Sequence, residues 1–460
     1  MKCKNFFTKR TTFKLLVGLG LFLVLVVLTT SLLERRSPFH TATTLVKVVG
    51  TGVIASTVSF YDPCETVAVS CGPSHEASAE LGVLRFGDFA KSFPASFEDR
   101  LSLVLLEDQT ITRSNFPFQY QTHAEPRLHA LRKQYGLDQI VKSANSEFDA
   151  QVALRSWTRS QFRRRDYQPE KGRAGFDGLA ILKRQSLNPD NRDYQPGSDM
   201  DPCIFFPLLC SQVMTSVGYQ SRLVGIDHGA LEVWSNQFGK WVFFDVELNW
   251  HFEKNGIPLN MLDLHKAARG GKASEIQLIR GTQSSDDNTT QVHLGVEAIP
   301  TEALLNWFEK FRIAEMRNDW MTNQYFKGHP KRGDSATLLF PDKAFRAFRT
   351  SELLMSASSV ESDFYWTLNQ SELWVRPELC SESSLRIVLK TVTPNFDHFE
   401  LEMDGTDTQK NEQGEFSWNL HDGENHLVVT SVNQFGVRGF PSKVVILRRG
   451  QSRSADEQSP

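Results

Sequence analysis

The sequence predicts an α+β protein with an N-terminal membrane helix, a mixed core of helices and strands, and a C-terminal β-sandwich. Three patterns lead to this fold class. An uncharged apolar run stands near the N-terminus, apolar residues recur at helical spacing from Pro126 onwards, and short strand-like segments separated by turn residues follow residue 350. A chain of 460 residues is long enough for two or three hydrophobic cores.

Charge and composition exclude several classes of function. The net charge is −3 at pH 7, so no nucleic-acid partner is predicted. Aromatic residues make up 11% of the chain, which favours mixed or β-rich domains over a coiled coil. Six cysteines occur, but no C-x-x-C and no H-E-x-x-H pattern, so we expect no metal site and no cofactor.

Residues 15–33 form the predicted membrane helix. This run contains 19 residues without a charge, and as a helix it would span about 28 Å, close to the apolar thickness of a bilayer. Five basic residues precede it, which places the following chain outside the cytoplasm. Signal peptides have apolar runs of about 7–15 residues and a small-residue cleavage site, so an uncleaved signal anchor is favoured over a cleaved leader. Disulfides can form outside the cytoplasm, and Cys64 and Cys71 are the candidate pair.

Further segments follow in order along the chain. Residues 41–122 are rich in β-branched residues, as strands are. Ser146, followed by Asp149 and an apolar stripe, resembles a helix start. The apolar run CIFFPLLCSQVMTSVG is predicted to be a buried helix that ends at Gly218. The segments YQSRLVGI, GALEVWS and KWVFFDVEL are predicted strands, the last two forming a hairpin. Residues 260–282 and 301–318 are predicted helices, and five strands after residue 350 indicate the sandwich.

The predicted domain organisation follows from these segments. It comprises a cytoplasmic tail and signal anchor (1–36), a β-rich membrane-proximal region (41–122), a mixed core of helices and strands (126–285), a helical extension or linker (286–345), an Ig-like β-sandwich (350–448) and a disordered tail (449–460).

Two cysteines on the predicted helix at residues 203–218 have different surroundings. Cys203 and Cys210 would lie about 10 Å apart along a helix, whereas a disulfide needs Cα atoms within about 7 Å. Cys210 sits among apolar residues and is interpreted as a core thiol. Cys203 opens the helix directly after Pro202, where the helix dipole lowers a thiol pKa and favours a nucleophilic thiolate.

A base and an orienting carboxylate follow downstream. His228 precedes the second predicted strand and Asp245 ends the third, so a hairpin would bring both to one edge of the sheet. Asp245 could then accept the second imidazole N–H, and Cys203 would complete a nucleophile–base–orienter triad. Taken singly, each of the three residues also fits a structural role.

The combined spacing resembles the transglutaminase-like (papain-like) superfamily. The resemblance covers residues 126–270 and is strongest over 203–247, and the residues that carry it are Cys203, Gly218, Arg222, His228, Glu232, Val233, Trp234, Trp241, Val242 and Asp245. The sequence departs from the family pattern at three positions, Pro202, Ala230 and Val246.

The resemblance implies a Cys203–His228–Asp245 triad that cleaves or transfers a peptide or carboxamide group through a thioester. The substrate would be a protein or peptide, and no cofactor is needed. Trp157 stands where relatives carry a helix tryptophan, and Gln161 follows one turn later, so both are candidates for oxyanion support. Arg222 is interpreted as a structural ion-pair partner. The alternative is a catalytically inactive scaffold or binding protein of the cell envelope.

Overall fold

The chain contains a run of helices before a run of mainly antiparallel strands and a strand-only C-terminal part, so the predicted α+β class is confirmed. The computed structural model describes residues 82–91, 97, 100–108, 110–162, 177–187, 204–225, 229–281, 301–309, 313–322, 337–340 and 356–450. The predicted membrane helix, the Cys64–Cys71 pair, Cys203 and His228 lie outside these residues. No helix within the described ranges combines the length and the apolar character that crossing a membrane requires.

The helices and strands have the following bounds. The helices are α1 (Phe86–Lys91), α2 (Pro126–Gln134), α3 (Leu137–Lys142), α4 (Glu147–Gln161), α5 (Gly178–Leu187), α6 (Phe205–Ser216), α7 (Met261–Gly270) and α8 (Thr301–Leu305). The strands are β1 (Leu84–Arg85), β2 (Leu101–Glu107), β3 (Ser221–Gly225), β4 (Gly229–Ser235), β5 (Lys240–Phe244), β6 (Trp250–Lys254), β7 (Ile257–Pro258), β8 (Gln277–Arg280), β9 (Ile313–Glu315), β10 (Thr337–Leu339), β11 (Ser356–Ala357), β12 (Ser371–Val375), β13 (Ser384–Thr391), β14 (Phe396–Met403), β15 (Gln409–Asn411), β16 (Glu415–Asn419), β17 (Gly423–Asn433) and β18 (Ser442–Arg448).

Local chemistry fixes the start of α4 and the end of α6. The Ser146 side chain accepts a hydrogen bond from the backbone N–H of Asp149, which caps α4 as the sequence predicted. The α6 side chains are buried throughout, and the chain leaves this helix through Gly218, whose φ is +96°. A β-carbon at Gly218 would lie 2.6 Å from that of Phe435, so both backbone conformation and space require glycine.

A six-stranded sheet in the order β11-β10-β9-β3-β4-β5 carries the α6 helix. β3, β4 and β5 are antiparallel neighbours, so the three predicted strands and their hairpin are confirmed. Alternate residues of β4 face opposite cores: Leu231 and Val233 pack with α4 and α6, whereas Ala230 and Trp234 pack on the other side with α7 and α8. The sheet is therefore buried on both faces.

Two helix predictions were wrong in their second halves. Residues 260–282 are helical only as far as Gly270, because Gly271 adopts the left-handed conformation that ends α7. The following β8 pairs with β6 instead. Within residues 301–318 the α-helix ends at Leu305 and a 3₁₀ turn follows to Glu309, whereas Ile313–Glu315 form β9, which pairs with β3 and extends the sheet. Strand pairing with distant residues overrides the local helical pattern in both places.

Two further sheets form a C-terminal β-sandwich. Their orders are β1-β12-β13-β16 and β15-β14-β17-β18-β2, and side chains from both enclose one apolar core. All five strands predicted after residue 350 are present, whereas β11, β12 and β15 were missed. β1 and β2 come from the 41–122 region, which therefore contributes strands to both sheets.

The sandwich packs directly against the sheet that carries α6, and all described residues belong to one compact unit. The Asn433 side chain donates to the carbonyl oxygen of Gly218 at 3.1 Å, and the Asn236 side chain donates to that of Arg438 at 3.1 Å. These bonds hold the turn after α6 and the β4–β5 turn against the sandwich.

Candidate active site

The three residues of the predicted triad stand next to the ends of three packed elements. Cys203 comes two residues before α6, His228 comes directly before β4, and Asp245 comes directly after β5. α6 packs against β4, and β4 pairs with β5. Of the three residues, the structure describes Asp245.

Asp245 is a buried carboxylate beside the first residues of β4. Its side chain is 1% exposed, and the β4–β5 pairing reaches Leu231 and Phe244 immediately before it. Its Oδ1 atom accepts the backbone N–H of Leu248 at 2.9 Å. Its backbone exchanges hydrogen bonds of 3.0 and 3.1 Å with Trp250, the first residue of β6. The turn between β5 and β6 therefore fixes the carboxylate.

A fully buried cation, Arg155 of α4, holds this turn from the helix side. Its Nε donates to Oδ1 of Asn249 at 3.0 Å, and its Nη1 donates to Nδ1 of His251 at 2.9 Å. Its guanidinium carbon lies 4.9 Å from the centre of the Phe244 ring. Asn249, the residue that Arg155 anchors, has a left-handed backbone conformation with a φ of +55°.

The hydrogen bonds of His251 determine its tautomer. A guanidinium can only donate, so Nδ1 of His251 must accept and Nε2 must carry the proton. Nε2 then donates to Oε1 of Glu253 at 2.9 Å. Burial lowers the pKa of His251 to about 3, and the Arg155 cation acts in the same direction, so this histidine is neutral at neutral pH.

Arg155 stays protonated despite its burial. Loss of solvation lowers its pKa to about 10, and Asp245 and Cys210 oppose that shift electrostatically. Burial raises the pKa of the Cys210 thiol to about 12, with Thr158 and Arg155 acting against the change. Cys210 is a fully buried free cysteine, so its interpretation as a core thiol is confirmed.

Trp157 and Gln161 lie on α4, which packs against α6. Trp157 is half-buried against the helical core, with its ring edge-on to Tyr135 at 5.8 Å. The Gln161 amide donates to the carbonyl oxygen of Trp157 at 3.2 Å, within its own helix. Their support roles stay predictions.

Arg222 is a structural ion-pair partner, as the sequence indicated, and the structure shows that its partner is Glu232. Both side chains are fully buried, and Nη2 of Arg222 lies 2.6 Å from Oε2 of Glu232. The other carboxylate oxygen accepts from the backbone N–H of Met261 and from the Tyr365 hydroxyl. The guanidinium also lies over the Trp241 ring at 4.6 Å, so this pair joins the sheet to α7 and to the segment leading into the sandwich.

Sequence reasoning missed Arg155, Asn249 and His251. One signal was available for Arg155, which follows the buried Phe148 by seven residues and so falls on the buried stripe of α4. Nothing local marked the other two, because both meet Arg155 across more than 90 residues of sequence.

Comparisons of this chain with protein-family models, curated proteins and solved structures found no match. Within the part of the chain that the structure describes, no group of three or more His, Cys, Asp or Glu side chains could hold a metal ion.

Proposed function

We propose that the protein is a membrane-anchored, extracytoplasmic thiol enzyme with a transglutaminase-like core, acting on peptide or carboxamide bonds. The observation that carries this proposal is the position of Asp245. Its buried carboxylate stands at the end of β5 beside the start of β4, and His228 is the residue that precedes β4. A hairpin of this kind is what an imidazole–carboxylate pair on these two strands requires.

The direction of α6 supports a thiol at the same end of the sheet. Ser211, midway along α6, contacts Ser221 at the start of β3, with 2.9 Å between the two hydroxyl oxygens. The six residues back to Phe205 cover about 9 Å of helix, which alongside β3 corresponds to about three strand residues. That distance reaches Val224, the partner of Ala230 at the start of β4.

The proposed reaction is acyl transfer through a thioester. His228 takes the thiol proton, and the Cys203 sulfur attacks the carbonyl carbon, forming a C–S bond while the carbonyl electron pair moves to oxygen. As the intermediate collapses, the C–N bond breaks and His228 returns the proton to the leaving amine. Asp245 accepts the second imidazole N–H and stabilises the transient imidazolium. Water or a primary amine then attacks the thioester, so the enzyme acts as a hydrolase or an acyltransferase.

Oxyanion stabilisation and substrate access follow from the same proposal. The backbone N–H of Cys203, two residues before α6, is a candidate donor to the oxyanion, with Trp157 or Gln161 of α4 in support. With residues 15–33 as the anchor, the substrate is a protein or peptide on the outer side of the membrane.

Iodoacetamide labelling at pH 7 tests the proposal. The alkylation rate of Cys203 is followed by mass spectrometry of its peptide, with the half-buried Cys380 in the same sample as an internal control. We expect Cys203 to react at least tenfold faster than a small free thiol and to slow in His228→Ala. Equal rates for Cys203 and the free thiol would instead favour the inactive scaffold.

The two outcomes of the reaction are separated by supplying a labelled primary amine with a glutamine-containing peptide. Amine incorporation indicates transamidation, peptide shortening indicates proteolysis, and Cys203→Ala should abolish either one. If both activities persist in Cys203→Ala, the triad is not responsible for them.

A further inference from the structure

Arg155 is a buried cation that has no ion pair with a carboxylate among the residues that the structure describes. Its hydrogen bonds go to the neutral groups of Asn249 and His251, and among the described residues its Nη2 atom has no hydrogen-bond partner. A buried charge that lacks an ionic partner destabilises a core relative to an apolar side chain. Packing alone therefore does not account for arginine at this position.

Arg155 is connected to Asp245 through hydrogen bonds in the turn between β5 and β6. Arg155 and the Ser156 hydroxyl both donate to Oδ1 of Asn249, at 3.0 and 3.1 Å. The residue before Asn249 is Leu248, whose backbone N–H donates to Oδ1 of Asp245. Asn249 follows Leu248 directly in this turn, so the hydrogen bonds to its side chain restrain the segment that carries the Leu248 N–H. The guanidinium thus holds the group that orients the Asp245 carboxylate.

His251 and Glu253 fix the guanidinium in turn. The neutral imidazole accepts from Arg155 and donates to Glu253, so the proton order along the three side chains is determined. The plane of the guanidinium is further confined by the Phe244 ring, the last residue of β5.

We propose that Arg155 is a positioning residue for Asp245, acting through the Asn249 turn with His251 as its own orienter. The inference rests on the proposed thiol chemistry and adds a residue to it that the triad does not include. Loss of Arg155 would let the carboxylate rotate away from the imidazole, which weakens the imidazolium and therefore the thiolate paired with it.

Several titratable groups surround Arg155, and they determine how its loss affects the pH dependence of Cys203 alkylation. Cys210 lies on α6, Asp245 and Glu247 on the β5–β6 turn, His251 and Glu253 on β6, and Arg159 one turn along α4. Removing Arg155 would release the Asp245 carboxylate from its orientation, which disfavours the imidazolium and, with it, the Cys203 thiolate. The midpoint of its alkylation profile should therefore move to higher pH.

The test is the pH profile of Cys203 alkylation by iodoacetamide in the full-length, detergent-solubilised protein. We expect Arg155→Met to lower the rate at pH 6 about tenfold, which corresponds to a midpoint about one unit higher. Arg155→Lys keeps the charge without the fork and should give a smaller loss. Asn249→Gly, which suits the left-handed backbone but removes the anchored oxygen, should resemble Arg155→Met even where the latter folds poorly. Ser143→Ala removes an exposed hydroxyl that donates to the carbonyl oxygen of Ile140 and is the matched control, with a rate within about twofold of wild type.

A double variant separates positioning from other roles. If Arg155 acts through Asp245, Arg155→Met/Asp245→Asn should alkylate no more slowly than Asp245→Asn alone. Additive effects would overturn the inference, as would variants with a lower melting temperature but the wild-type profile. A wild-type Cys203 with ordinary thiol reactivity would overturn the proposed function and this inference together, whereas a reactive wild type with an unaffected Arg155→Met profile overturns the inference alone.

Discussion

Replacing Glu147 by glutamine should stabilise the protein, and by an amount that grows with pH. Glu147 is the first residue of α4, and its Oε1 atom accepts the backbone N–H of Asn236 at 2.6 Å and the Gln151 amide at 3.3 Å. These bonds tie the helix start to the β4–β5 turn. Burial raises the pKa of Glu147 to about 7, although the hydrogen bonds from Asn236 act against the shift.

The sign and size of the effect follow from the two pKa values. The ordinary value is 4.5, so the folded protein keeps the Glu147 proton at pH values where the unfolded chain has lost it. Stability from this group is complete below pH 4.5 and is lost as pH rises to about 7. A difference of 2.5 between the two values in the same residue corresponds to about 3 kcal/mol, and partial solvation of the carboxyl reduces the expected loss to about 1–3 kcal/mol.

Urea unfolding from pH 4.5 to 8.5, followed by tryptophan fluorescence, measures this dependence. The stability of Glu147→Gln relative to wild type should rise between pH 4.5 and 7 and level off above that, because glutamine does not titrate. Asp149→Asn changes an exposed carboxylate in the same helical turn and serves as the matched control. A difference that stays constant across the range would show that Glu147 is already ionised in the folded protein, which refutes the reasoning.

Three further predictions concern the residues that hold the site together. Gly218→Ala should lower the free energy of unfolding by about 2 kcal/mol or more, because Gly218 has a positive φ and because a new methyl group would meet side chains of the sandwich. Gly436→Ala also lies at a positive φ but has open space around it, so its effect on thermal unfolding isolates the backbone contribution. Arg222→Met should cost about 3–5 kcal/mol by leaving Glu232 buried without its partner, and adding Glu232→Leu should recover much of that loss in the same assay. The His251 imidazole should show no titration between pH 5 and 8 by NMR, and a midpoint near 6.5 would contradict its assigned hydrogen bonds.

The parts of the fold that the sequence predicted are those set by local pattern. Ser146 marked the start of α4, and unbroken apolar runs marked α6 and the strands β3 to β5, which are buried on both faces. The strand β2 lies in the region that was predicted to be β-rich, but its partner was not predicted. Its pairing with β18 joins residues more than 300 positions apart and depends on tertiary packing.

The same distinction applies to the candidate site. Asp245 was identified because strand order and residue spacing are both local properties, and its place at the end of β5 follows from them. Its immediate supports were not identified, since Arg155 reaches Asn249 only after α4 has packed against the β5–β6 turn. A polar residue on an otherwise buried helix stripe is the one sequence feature that pointed to such a contact.

Arg155 and Arg222 are both fully buried, but only Arg155 is expected to influence the reactivity of the proposed thiol. Arg222 is matched by the carboxylate of Glu232 and enclosed by aromatic rings, so its charge is balanced where it arises. Arg155 donates to an amide and an imidazole, both neutral, and the carboxylate that it influences electrostatically belongs to Asp245 at the end of β5. Removing the first exposes an unpaired acid inside the fold, whereas removing the second changes the field and the geometry at Asp245. The two substitutions should therefore separate stability from thiol reactivity within one protein.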